Sequence, residues 1–312
     1  MFGTRMLTAC VVCFLAMSVV AAELPQPLVE WDLARTDLWD AQAGSIANSG
    51  SLTAGPLTIQ EGLPYGAMTA SDVGMPQFYT DGGSFDGERP YIALEKFSSV
   101  LGTNSASAGI FLSSSAIGYT QVGYYYISKD MRAQVNAGIG GKHYTNWQNE
   151  FLYSLGIEQG GNGSVTSWTA MRTPGDVWWE QQDSLMDGQG NSIVPRDRWF
   201  QFVKVVDIVN NEFRYYVDGE LALTTYPTWG GAPINLAAGD YRFYGNDDLL
   251  GAIGTGPDRL VKGVGFSYFA GYDCVLTDEQ IKASHAYLTG VPEPATMSLL
   301  ALGGLALLRR RA

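Results

Sequence analysis

Short apolar runs recur along the chain, bounded by glycine, asparagine or aspartate, and several alternate with a period of two. Val29-Glu30-Trp31-Asp32-Leu33 puts its apolar side chains on one face and its carboxylates on the other, which predicts a half-buried strand. Tyr91–Leu94, Gly123–Ile127, Phe213–Val217 and Leu221–Tyr226 read the same way. Trp199–Val209 is equally β-prone but alternates raggedly, so a bulge or burial on both faces is open there. Asp218-Gly219 separates two β-prone runs and favours the positive φ values of a tight hairpin turn. One helix stands out at the end of the folded part. Thr277-Asp278-Glu279-Gln280 forms a capping box, Ile281 and Leu288 fall on one face, and Gly290 suits the exit. Many short strands and one terminal helix predict an all-β, two-sheet antiparallel sandwich.

The two ends follow different rules. Arg5 precedes an apolar run from Met6 to Val20, and Val20-Ala21-Ala22 offers small residues for a signal-peptidase cut. Residues 1–22 therefore read as a signal peptide, with Glu23 opening the mature chain. At the other end, Pro292-Glu293-Pro294 precedes the apolar stretch Met297–Leu308 and the cluster Arg309-Arg310-Arg311. A permanent span takes about 20 apolar residues, so this segment is short, and its arginines hold its exit on the cytoplasmic side. Those three parts in that order resemble the PEP-CTERM sorting signal. The resemblance implies an exosortase-type processing enzyme as partner and transient inner-membrane insertion through residues 291–312.

Composition narrows the partners. The whole chain carries a net −12, and residues 23–290 hold 15 basic against 30 acidic residues, a net −15. Such a surface repels nucleic acid and anionic membranes. Hydrophobic residues make up 46% and charged residues 16%, which suits a packed core rather than disorder. Cys10 and Cys13 leave with the signal peptide, so Cys274 has no internal partner and the core alone must hold the fold. No internal repeat or Pro/Ser-rich linker divides residues 23–290, which read as one domain.

Within that domain the pieces resemble laminin-G-like domains of the concanavalin A-like lectin/glucanase superfamily. The matching segments are Phe85-Asp86-Gly87 with Tyr91–Leu94, Trp199–Val205, Tyr215–Glu220, Phe243-Tyr244-Gly245, Gly263–Phe269 and Leu276–Ile281. The resemblance implies a jelly roll over about residues 26–290. Gly265-Phe266-Ser267 replaces an acidic pair of the family, and residues 104–190 carry long insertions. These motifs specify fold rather than ligand.

Candidate chemistry lies in the inserted region. Tyr124, Tyr126, His143, Tyr144, Trp147 and Trp168 are the candidate ligand-binding residues, because a pyranose face stacks its C–H groups on an aromatic ring. Alternation sends part of this aromatic set, which includes Tyr125, Trp178 and Trp179, into the core. Among these rings Trp147 and Trp168 are the first choices for an outward-facing platform. Asn246, Asp247 and Asp248, with Asp258, are candidate calcium ligands, set against the plainer reading of solvated turns. His143 and His285 are too few for a zinc site, His285 reads as a structural or surface residue, and Cys274 as a small buried apolar one.

Catalysis has weaker support. The paired carboxylates of a glycosidase on this fold are absent, and Asp207 with Glu212 straddle Asn210-Asn211 as a solvated hairpin would. Arg132, His143, Tyr144 and Gln148 supply the residue types of a polysaccharide lyase, at a spacing without specificity. Three readings stay open: an exported domain that binds carbohydrate or matrix without catalysis, a glycan hydrolase or lyase, and a purely structural surface protein. The first is the leading expectation, with the cell surface or extracellular matrix as its location and extracellular polysaccharide as its partner.

Overall fold

The computed structural model describes residues 22–40, 45–51, 57–60, 77–79, 89–94, 99–103, 118–133, 137–142, 152–157, 165–173, 177–229, 232–235, 249–253 and 261–290. The signal peptide (Ala22 apart), Phe85-Asp86-Gly87, Phe243–Gly245 and the sorting tail lie outside them. The described chain forms the all-β antiparallel sandwich that the sequence predicts.

The first sheet holds β1 (Val29–Asp32), β5 (Gln77–Tyr79), β6 (Tyr91–Leu94), β8 (Gly118–Ala133), β13 (Trp199–Asp207), β14 (Glu212–Val217), β15 (Glu220–Thr225) and β19 (Val261–Tyr272). Its order is β15-β14-β13-β8-β19-β6-β5, with β1 pairing the far part of β19. The second sheet holds β2 (Trp39–Asp40), β3 (Ser45–Ile46), β4 (Leu57–Gln60), β7 (Ser99–Thr103), β9 (Ala137–Lys142), β10 (Leu152–Ile157), β11 (Val165–Thr173), β12 (Val177–Ser184) and β18 (Leu249–Ile253). It runs β12-β11-β10-β9-β18-β7-β4-β3-β2. A small pair, β16 (Thr228–Trp229) and β17 (Ala232–Pro233), stands apart, and α1 (Asp278–Thr289) ends the described chain.

Local rules account for the clearest elements. Asp218 has φ +51° and Gly219 +81°, so the two-residue turn between β14 and β15 has positive φ at both positions, as a tight hairpin requires. A Cβ built on Gly219 would lie 3.4 Å from the Cβ of His285. Gly219→Val is therefore expected to destabilise the fold by more than about 1 kcal/mol, because backbone strain adds to crowding; an unchanged melting temperature would refute this. At the start of α1, the Thr277 side chain accepts from the Gln280 amide and the Gln280 side chain accepts from the Thr277 amide. Gly290 closes the helix in the left-handed region.

The ragged hydrophobicity of Trp199–Val209 resolves as burial on both faces. Every residue from Phe200 to Asp207 is buried, and the register against β8 and β14 runs without a shift. One face of β13 carries Phe200, Phe202 and Lys204 into the layer shared with Trp31, Tyr125, Phe213 and Tyr215. That layer meets the second sheet, where the Tyr215 hydroxyl donates to Asp183 of β12. The other face carries Val203 and Val205 into a layer with Val122, Tyr216, Tyr268, Ala270 and Tyr272, closed by Leu276, Ile281 and Leu288. Helix α1 thus gives the first sheet a covered outer face, an added layer over the sandwich.

That layer corrects two expectations. The Val29–Leu33 strand is not half-buried, because Asp32 on its polar face is itself buried near the end of α1. The Asp207 hairpin is not solvated at its carboxylate, which is 3% exposed and accepts from the amide and side chain of Asn210 at 2.9 and 2.8 Å. Cys274 is half-buried against the same layer, and burial pushes its thiol above the ordinary range.

Candidate functional site

Strand β8 alternates its three consecutive tyrosines between faces. Tyr125 is fully buried toward Phe200 and Phe266, while Tyr124 and Tyr126 turn the other way and stay half-buried. The register pairs Tyr126 with Trp199 and Tyr124 with Gln201, so Trp199 on the neighbouring strand points to the same side as both tyrosines. Its indole, also half-buried, becomes the hub of an aromatic cluster. The Tyr124 ring stacks on it with centroids 5.4 Å apart and planes 19° apart. Tyr91 and Tyr126 approach edge-on at 5.1 and 6.0 Å. Offset and edge contacts of this kind hold each ring in place; Tyr91 is fully buried, whereas Tyr124, Tyr126 and Trp199 each keep part of their surface exposed.

Charged groups border the cluster. Asp197, at φ +55°, donates its amide to the Ile127 carbonyl at 2.8 Å and accepts the Lys129 amide at 2.9 Å. The loop before β13 is thereby tied to the end of the Tyr124–Tyr126 segment. Partial burial, and then the Asp197 carboxylate, raise the Tyr126 phenol above its ordinary value. Arg198 pairs with Asp218 at 2.7 Å, and Asp218 in turn accepts the Gln201 amide at 3.0 Å. Burial lowers the Arg196 guanidinium from its usual value, with Asp197 opposing. The arrangement offers aromatic surface with guanidinium and carboxylate groups at its margin. It is suited to hold a polar, ring-shaped ligand.

The remaining candidates separate. Trp168 lies on β11, in register with Gln182 of β12, in the second sheet and away from the cluster. His143, Tyr144, Trp147 and Gln148 lie outside the described residues, as do Asn246, Asp247, Asp248 and Asp258. Arg132 falls on β8, opposite Lys262 of β19. Asp207 and Glu212 are both engaged by Arg214, at 3.5 and 3.3 Å. Among the described residues no group of three His, Cys, Asp or Glu side chains is placed to hold a metal ion. His285 is half-buried on α1, and burial lowers its pKa. The sequence reading took Trp199 as part of a fold-specifying segment, not as a ligand-binding residue. Its register with Tyr126 places it in the candidate site instead, a signal available only once β8 and β13 are paired.

Among solved structures, the fold is similar to domain 4 of AbnA, a GH43 extracellular arabinanase from Geobacillus stearothermophilus solved with arabinotriose. That match has a TM-score of 0.48 at 15% identity and covers 86% of this chain and 100% of that one. It is also similar to the botulinum neurotoxin serotype G binding domain, with a TM-score of 0.47 at 11% identity, covering 84% of this chain. A third is the binding domain of botulinum neurotoxin DC in complex with SialylT, with a TM-score of 0.48 at 10% identity and 84% of this chain covered. The chain spans about half of those toxin chains, 51% and 52%. No curated protein sequence matches it. Among the described residues no helix is long and apolar enough to cross a membrane. Residues 290–312 match the PEP-CTERM protein-sorting motif, so the chain carries at its C-terminus the signal of an exported protein that exosortase processing sorts to the cell surface.

Proposed function

We propose that residues 23–290 fold as one unit that binds carbohydrate, at the cell surface or in exopolysaccharide, without turning it over. The observation that carries this reading is the half-buried cluster of Tyr124, Tyr126 and Trp199 on one face of the first sheet, bordered by Arg196, Asp197 and Arg198. A sugar ring brings C–H groups to an aromatic face and hydroxyls to polar groups at its edge, and the cluster supplies both. Multivalent display along a polymer would raise the apparent affinity of such a site.

Binding of the exported protein to a glycan array, with and without calcium, tests the proposal. Tyr126→Ala is expected to weaken binding by roughly tenfold, about 1.4 kcal/mol, while leaving the melting temperature nearly unchanged. Trp168→Ala is the parallel arm for the second sheet. Retention of full binding by both variants would remove the aromatic platform as the cause. Release of reducing ends or unsaturated uronates by the purified protein would replace the binding reading with the enzymatic one.

A further inference from the structure

The last turn of α1 is fastened to the first sheet at two levels. Leu288 is 1% exposed within the layer beneath the helix. Beside it the Tyr287 hydroxyl donates to one oxygen of Asp32 on β1, and Arg89 donates to the other. The Asp32 carboxylate also accepts the Ala34 amide at 2.9 Å and is 1% exposed, while the Arg89 guanidinium lies 5.2 Å over the Tyr287 ring. A buried carboxylate held by three donors resists opening. The helix stops directly afterwards at Gly290, where the match to the sorting motif begins.

Spacing gives this latch a consequence. Pro292 follows Leu288 by four residues, and four residues reach at most about 14 Å when fully extended. An extended peptide bound in a protein groove lies there as a strand of several residues. With Leu288 anchored, the body of the sandwich sits within that short reach of the sorting motif. Freeing the last helical turn lengthens the reach. We propose that the Tyr287–Asp32–Arg89 latch sets the rate at which the sorting tail is removed, the cut requiring the last turn of α1 to be undone. The step itself is hydrolysis of one peptide bond, with water adding across it: the new carboxylate stays on the folded part and the new amine leaves on the tail. This inference rests on the tail being processed as its motif implies.

Pulse-chase of the full chain in a host that carries the sorting machinery, with loss of the tail followed by mass, tests it. Tyr287→Phe removes only the hydroxyl and keeps the ring; it is expected to be cut roughly tenfold faster than the unaltered chain. A flexible spacer inserted between Gly290 and Val291 is expected to accelerate the cut as well. In the spacer chain, Tyr287→Phe is expected to make no further difference, because reach no longer limits access. Equal rates for Tyr287→Phe and the unaltered chain overturn the latch while leaving processing intact. The same acceleration with and without the spacer also overturns it, pointing to general destabilisation. An unaltered chain that never loses its tail overturns the processing reading and the latch together.

Discussion

Asp183→Ala is expected to lower the unfolding free energy by about 3–5 kcal/mol, because it breaks a buried charged network from one side. Asp183 on β12 is 7% exposed and accepts from the Tyr215 hydroxyl, from Thr225 at 2.9 Å and from Gln181 at 2.7 Å. Lys204, fully buried, stands opposite Tyr215 in the β13–β14 register and feels the Asp183 carboxylate. Alanine removes the shared acceptor and leaves a buried phenol and amine without their carboxylate. Denaturant unfolding measures the loss, and a change under about 1 kcal/mol would mean the network contributes little.

The same network fixes a pH dependence. Burial pushes the Lys204 amine down to about 7, against the opposing pull of Asp183, from an ordinary value of 10.5. Between those two values the unfolded chain binds a proton that the folded chain does not, so stability rises with pH there. One proton gives at most about 1.4 kcal/mol per pH unit. The cleanest window runs from pH 7 to about 8, before the Cys274 thiol begins to titrate in the unfolded chain. Lys204→Met should flatten the rise across that window; a rise that persists in the variant assigns it to another group.

Trp31→Ala is the other large effect, at about 3–5 kcal/mol. The side chain is fully buried and stacks on Phe269 at 5.7 Å, its register partner on β19. Its loss opens a cavity where the N-terminal strand joins the sheet. Leu221→Ala on β15, at 50% exposure, is the control and is expected to stay within about 0.5 kcal/mol. Comparable losses for the two would show that Trp31 is not a core residue.

What could be read from the chain alone follows the range of the interactions involved. The Asp218-Gly219 turn and the Thr277–Gln280 capping box need only neighbouring residues, and both were legible. The covered outer face of the first sheet was not, since it depends on α1 packing against strands far earlier in the chain. For that reason Asp32 read as exposed. Lys204 gave no signal of burial, because a lone lysine among apolar residues is ordinarily a solvated position and its carboxylate neighbour belongs to the other sheet. In the candidate site, strand alternation puts Tyr125 in the core and Tyr124 and Tyr126 on the other face, half-buried. It could not supply Trp199 or the arginines beside it. Their placement requires the β8–β13 pairing and the tie between Asp197 and Ile127.

The helical layer over the first sheet also orders events in time. Val122, Val203, Val205 and Tyr216 are covered by residues from Leu276 onward, near the end of the described residues, and β1 is paired only once β19 exists. A chain that emerges N-terminus first, from a ribosome or a translocon, therefore carries bare apolar sheet until almost all of it has passed. Contacts of such long sequence separation form slowly, and the interval before they form is when neighbouring chains are most able to aggregate.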